Sequence, residues 1–231
     1  MSIEIYSDRI GWISLMRSFD RVVFMPAAEQ TSTPGRYREA ASTLARDTAL
    51  DALRELLHER NWRNVTMSHI AKAAGLSRQS LYNEFGSRRG VAQGYAIRLT
   101  DVFVAMCETA LYQHQNDAPA ALRQGFSSFF ELSGLDPLVR SLHSGDAPED
   151  LLRLITTDSA VLIERAGERL AETFQRGWVG ASPRQADVVS KAIVRLALSY
   201  IPEPPEDIAA TADDLSLLLT PFIDSITAGR T

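Results

Sequence analysis

An all-α fold is predicted, with an N-terminal three-helix helix-turn-helix module followed by a larger helical domain. Three observations carry this. From about Arg38 onward, apolar residues return at three- and four-residue steps, the period of a helix with one buried face. No segment alternates apolar and polar at period two, so no strand pattern competes. Residues 65–85 read as a helix, a sharp glycine-bearing turn and a second short helix, the layout of a DNA reader.

Residues 1–36 stand apart from the rest. The stretch up to Phe24 mixes Trp12, Phe19 and branched residues without periodicity, and residues 26–35 form a polar linker flanked by Pro and Gly. Asp8, Arg9, Arg17, Asp20 and Arg21 interrupt the apolar stretch, so a signal peptide fits poorly. Two readings stand: either Met25 is the true start, or the first residues are an arm that packs on the body or touches DNA. The first helix carries Leu44, Leu50, Leu53, Leu56 and Leu57 and ends near Arg60-Asn61-Trp62.

In the turn motif, Ile70, Leu81 and Phe85 are apolar pegs, while Ala71 and Ala74 are small where helices approach closely. Gly75 falls where the first helix of the pair must end in a left-handed conformation. Ser77 is placed to cap the next helix. Gly86-Ser87 ends that helix, and Ser87 can cap a long fourth helix over residues 88–113.

Pro119 lies in the first turn of a helix whose apolar face is Ala121, Leu122, Phe126, Phe129, Phe130 and Leu132. Residues 133–145 are looser, with a short segment at 138–142. A helical run over 149–178 is broken near Thr156-Thr157-Asp158, and Ser182-Pro183 starts another that reaches Tyr200. Pro202, Pro204 and Pro205 precede a last helix over 206–228, which Pro221 should kink.

Net charge is −5, but its distribution is uneven: residues 36–100 carry eleven basic and six acidic side chains. A segment at +5 joined to a remainder at −10 suits DNA binding by one part and another task for the other; chance segregation is the bland alternative. Composition, 45% hydrophobic and 23% charged, is that of an ordinary soluble protein, and no apolar run is long enough to span a membrane. Cys107 is the only cysteine, so no internal disulfide forms and a reducing, cytoplasmic setting fits. The four histidines are scattered, so neither metal nor cofactor is expected. An enzyme is not expected either: Gly86-Ser87-Arg88-Arg89-Gly90 is no nucleophile elbow, and no phosphate-cradling glycine loop or paired catalytic carboxylates appear.

Over residues 40–98 the chain resembles the TetR family of bacterial transcriptional regulators. The resemblance is carried by Thr66, Ile70-Ala71, Ala74-Gly75-Leu76-Ser77, Leu81-Tyr82, and Phe85 followed by Arg88. Arginine at 88 replaces the usual lysine, and Gly90 and Gly94 stand where relatives place acidic or leucine residues. The resemblance implies a DNA-binding module over residues 37–86 and a ligand-binding and dimerisation domain over 87–231, acting as a repressor.

It also places the third helix in the major groove, with Arg78, Gln79 and Ser80, and Ser68 on the preceding helix, reading bases. Arg78 suits guanine and Gln79 adenine; the alternative is that Arg78 binds only phosphate. Thr66, Tyr82, Asn83, Lys72, Arg88 and Arg89 are the implied phosphate contacts, although Thr66 as a plain helix cap is an equal reading. Glu84 opposes phosphate and should face away. The partners implied are a palindromic double-stranded operator, a second copy of the chain and a small effector.

Two narrow apolar stripes suit a dimer seam: Val189, Ile193, Leu196 and Tyr200, and then Ile208, Ala212, Leu215, Leu219, Phe222 and Ile226. The alternative is that they face the chain's own core. Phe103, Met106, Cys107, Phe126, Phe129, Phe130, Phe174 and Trp178 are candidates for a pocket taking an apolar or fatty-acyl ligand, against the alternative of plain core. Gly90 and Gly94 are either a compliant joint in the fourth helix or sites of close packing. With alanine at both, the first reading expects altered induction and an intact fold. The rival to a ligand-released repressor is a ligand-independent regulator, or an activator working through a protein partner.

Overall fold

The structure, a computed structural model, describes residues 34–143 and 147–229, with side chains from residue 40 onward. The proposals for residues 1–24 and Met25 therefore lie outside the described residues. The described residues from Ala41 onward form one compact unit. The helices are α1 (Pro34–Glu59), α2 (Met67–Ala73), α3 (Arg78–Phe85), α4 (Arg88–Gln113), α5 (Ala118–Leu135), α6 (Pro137–His143), α7 (Glu149–Ile155), α8 (Ala160–Arg176), α9 (Pro183–Ser199) and α10 (Ile208–Ala228). A 3₁₀ turn, Trp62–Asn64, joins α1 to α2, and no strand occurs among the described residues.

Local chemistry sets most boundaries. Thr66, Ser77, Ser87, Asp117 and Asp207 each accept a hydrogen bond from a backbone N–H in the first turn of the helix they precede. Ser182 and Gln185 form a reciprocal capping box ahead of α9. Gly75 and Gly86 take φ of +66° and +71°, so the two ends of the turn motif need glycine. The first helix is already helical at Pro34, ahead of the expected start near Arg38. Pro221 lies inside α10, which continues to Ala228.

Trp62, Val65, Ile70 and Leu81 are fully buried and close the three-helix reader against Val91 and Ala92 of α4. Beyond it, α5 packs between α4 and α10, and α8 packs between α4 and α9. Within this single chain, much of the predicted dimer seam is already covered. Val189, Ile193, Ala212, Leu215, Leu219 and Ile226 are buried within their own chain, and Leu196, Tyr200 and Ile208 pack partly buried on the same core. Of that set only Phe222 is exposed. Periodicity identified a buried face and not the partner that covers it.

Candidate nucleic-acid interface

Helix α3 buries Leu81 and Phe85 and turns Arg78, Gln79, Ser80, Tyr82 and Asn83 to solvent. Leu81 is the peg that fixes the helix, so the residues on either side of it point outward by helical geometry. Gln79 Nε2 donates to Asn83 Oδ1 at 2.8 Å, which holds the Gln79 amide along the exposed face. Ser80 is held at the cap: its N–H donates to Ser77 Oγ at 2.9 Å and the two hydroxyls lie 2.8 Å apart. Ser68 and Lys72 are exposed on α2, and Thr66 is exposed while accepting from His69 N at 3.2 Å. Lys72 and Arg78 have no ion-pair partner among the described residues.

Glu84 faces away from this surface, as expected. Its carboxylate accepts from Ser42 Oγ at 2.6 Å and from Arg46 Nη1 at 3.0 Å on α1. The Ser42 hydroxyl first, and Arg46 beside it, hold the Glu84 carboxyl below its usual range.

Arg88 and Arg89 depart from the phosphate role the resemblance implies. Arg88 Nη1 donates to Val65 O at 3.1 Å and Trp62 O at 3.4 Å, and Nη2 donates to Asp150 Oδ2 at 2.8 Å. Its guanidinium lies 4.6 Å from the Trp62 ring centroid. Arg89 pairs with Asp158. Both side chains are thus engaged within the chain, and their carboxylate partners lie 62 and 69 residues away, where local sequence carries no sign of them.

The two glycines of α4 are sites of close approach. A Cβ at Gly90 would stand 1.9 Å from the Phe85 carbonyl oxygen, and one at Gly94 would stand 3.0 Å from the Phe85 ring and 3.1 Å from Arg46 Nη2. Of the two readings of these glycines, the geometry favours close packing at Gly90, where the obstacle is backbone.

In the body, an apolar cavity of about 90 Å³ lies among α4 to α9. Phe103 and Phe129 are in its wall, with Leu99, Leu138, Leu151, Leu154 and Val194. Phe103, Cys107, Phe126 and Phe174 line a second, smaller space of about 20 Å³. Met106, Phe130 and Trp178 line neither: Phe130 packs edge-on against Tyr200 at 5.2 Å, and Trp178 Nε1 donates to Leu111 O at 2.9 Å. Burial pushes the Cys107 thiol far up, so it stays protonated.

The residue missed from sequence is Asp136, which is buried at the cavity wall. It accepts from Tyr95 Oη at 2.8 Å and from the N–H groups of Leu138 and Val139 at 2.9 and 3.1 Å. Desolvation raises its carboxyl despite these bonds. It falls in the stretch 133–145 that reads only as looser in sequence, and nothing local marks its burial.

Comparison with known proteins agrees with this architecture. Residues 49–94 match the family model for bacterial regulatory proteins of the tetR family, and residues 117–221 match that for the bacterial tetracyclin repressor C-terminal domain. The chain is 52% identical over 188 residues to the HTH-type transcriptional regulator AlkX of Mycobacterium tuberculosis, covering 81% of this chain and 89% of that protein. It is similar in structure to the TetR family repressor AlkX from Dietzia sp. strain DQ12-45-1b, with a TM-score of 0.73 at 40% identity over 79% of this chain and 96% of that one. The chain belongs to the TetR family of bacterial transcriptional regulators.

Proposed function

We propose that this regulator is a homodimeric repressor that binds a palindromic operator through α3 and is released by a small apolar effector. The observation that supports DNA reading is α3 itself, a helix pinned by Leu81 whose outward side chains are all polar, with Arg78 at its N-terminal end in no ion pair among the described residues. Arg78, Gln79, Ser80 and Ser68 read bases; Thr66, Tyr82, Asn83 and Lys72 meet phosphates. Residues 37–86 are the reader and 87–231 the sensing and pairing domain.

Two readers span half-sites roughly 34–36 Å apart. A seam between copies is supplied by side chains the core leaves exposed: Val188 on α9, and Leu217, Leu218 and Phe222 on α10. Leu218 and Phe222, four residues apart, share one face.

The effector is an aliphatic compound, a hydrocarbon or fatty-acyl molecule, because the cavity wall is almost wholly carbon. The Dietzia repressor's implication in biodegradation of n-alkanes fits that class. A second reading, a regulator with no small-molecule effector, is favoured by size alone. The cavity measures about 90 Å³, whereas an apolar cavity that admits benzene is about 150 Å³.

Fluorescence anisotropy with the DNA upstream of the chain's own gene, in the presence of alkanes, alkanols and fatty acyl compounds, separates the two. Salt-sensitive binding released by one of them supports the repressor; binding that none disturbs supports the second reading.

A further inference from the structure

Helix α7 has two faces with different attachments. Leu151, Leu154 and Ile155 form part of the cavity wall. Asp150, on the same seven-residue helix, reaches to the reader. Its carboxylate accepts from Arg88 Nη2 at 2.8 Å and from Trp62 Nε1 at 3.0 and 3.2 Å. Trp62 is wholly buried, and Arg88 in turn holds the Trp62 and Val65 carbonyls. One carboxylate therefore joins the 3₁₀ turn before α2, the start of α4 and α7. The Arg89–Asp158 pair, with Arg153 Nε also 3.4 Å from Asp158, adds a tie at the turn that follows α7.

We propose that Asp150 is the positioning residue through which occupation of the apolar cavity moves the DNA-binding module. This rests on the reading that the cavity is the effector site. A close-packed interior does not yield volume without displacing an element, and a space of about 90 Å³ is too small for an aliphatic chain as it stands. Of the other walls, α4, α5 and α9 are long, with 26, 18 and 17 residues. Helix α6, also seven residues, is tied at its start to the buried Asp136 carboxylate, which accepts from the Leu138 and Val139 N–H groups and from Tyr95 Oη on α4. Helix α7 is short, starts after Pro148 and ends in the turn at 156–159, so it is the wall that shifts as a body. A shift that carries Leu151 and Leu154 outward carries Asp150 with them. Trp62 Nε1 and the Arg88 guanidinium must then follow or lose their acceptor, and a buried donor left unpaired is costly. The reader moves because Trp62 Nε1 and the Arg88 guanidinium both end on the same carboxylate.

The test replaces the unknown effector with a side chain. Val194→Phe on α9 fills the cavity from within, and Ala197→Leu is a milder filler read in the same way if the first fails to fold. Backbone hydrogen exchange is followed by mass spectrometry in full-length protein, with and without Asp150→Asn. The filler is expected to speed exchange in α7, in residues 62–68 and in the first turn of α4, by about 2- to 30-fold in the reader. With Asp150→Asn, α7 still responds to the filler while the reader remains at the level of Asp150→Asn alone. Operator affinity, read on the same proteins, should fall with the filler only when Asp150 is present.

A filler effect on the reader that persists without Asp150 would overturn the proposal. So would an α7 response that never reaches the reader, or a filler that leaves α7 undisturbed. If exchange behaves as expected but the DNA is not bound, the repressor reading fails and the role of Asp150 stands.

Discussion

Gly90→Ala is the substitution on which sequence reasoning and structure disagree most sharply. By helix propensity alone it should stabilise α4 by about 1 kcal/mol. The structure reverses the sign. A helical Cβ tilts toward the N-terminus, and at Gly90 this aims it at the end of α3, 1.9 Å from the Phe85 carbonyl oxygen. That oxygen cannot rotate away, since it belongs to the backbone and accepts from Ser87 N at 2.8 Å. Relief requires α3 and α4 to part. Overpacking of this kind costs up to about 3 kcal/mol, leaving a net loss of about 2 kcal/mol after the propensity gain. For a chain of this length the melting temperature should drop by roughly 4–8 °C. Gly94→Ala is the internal control: its Cβ would meet side chains at 3.0 and 3.1 Å, and these can give. Its melting temperature should stay within about 2 °C of the parent, with propensity and crowding nearly cancelling. Thermal unfolding by circular dichroism at matched protein concentration decides between them. A Gly90→Ala variant at least as stable as the parent would refute the close-approach argument.

Three further outcomes are expected. Arg78→Ala should cost about 1–3 kcal/mol of operator affinity and relax selectivity at one base pair, whereas uniform weakening across sequences would assign Arg78 to phosphate; Lys72→Ala should lower the slope of log affinity against log salt by about one, both read by anisotropy from 50 to 200 mM salt (order of magnitude). The two shifted carboxylates should act with opposite sign in urea unfolding across pH. Asp136 has its folded pKa raised above 3.8, so its ionisation opposes folding, and stability is gained as pH falls through the folded value toward 3.8; Asp136→Asn should flatten that slope and be at least as stable at neutral pH. Glu84 has its folded pKa below 4.5, so its contribution is present above 4.5 and lost as pH falls through the folded value; Glu84→Gln should remove that acid sensitivity. Leu218→Asp with Phe222→Asp should convert a dimer to a monomer in sedimentation while keeping helicity, whereas Leu215→Asp should unfold the chain, because Leu215 is 5% exposed and Leu218 is 64% exposed.

The helices were legible wherever their ends are chemical. Ser87, Asp117 and Ser182 announce starts, and Gly75 and Gly86 announce stops, because a cap or a positive φ restricts the residue type locally. The break at residues 156–158 was visible for a related reason: consecutive threonines and an aspartate compete for backbone hydrogen bonds. What did not show was whatever depends on distant chain. The stripe from Leu215 to Ile226 has the period of a seam and the period of a core face alike, and α5 turns out to cover it. Asp136 reads as part of a looser stretch until Tyr95, 41 residues earlier, is placed over it.

Charge shows how a sound inference can rest on the wrong residues. The basic excess over residues 36–100 pointed to DNA, yet Arg46, Arg88, Arg89 and Arg98 are paired with Glu84, Asp150, Asp158 and Asp51. These pairs brace α1 on α3 and α4, and α4 on α7 and the turn that follows it. What remains for DNA on α2 and α3 is Lys72, Arg78, uncharged donors and the N–H groups at the caps. Fewer charges on these two helices are then available to displace counterions. In the proposed dimer, specific affinity would come from two readers held at a fixed separation, and that separation is what a displaced α7 is proposed to alter.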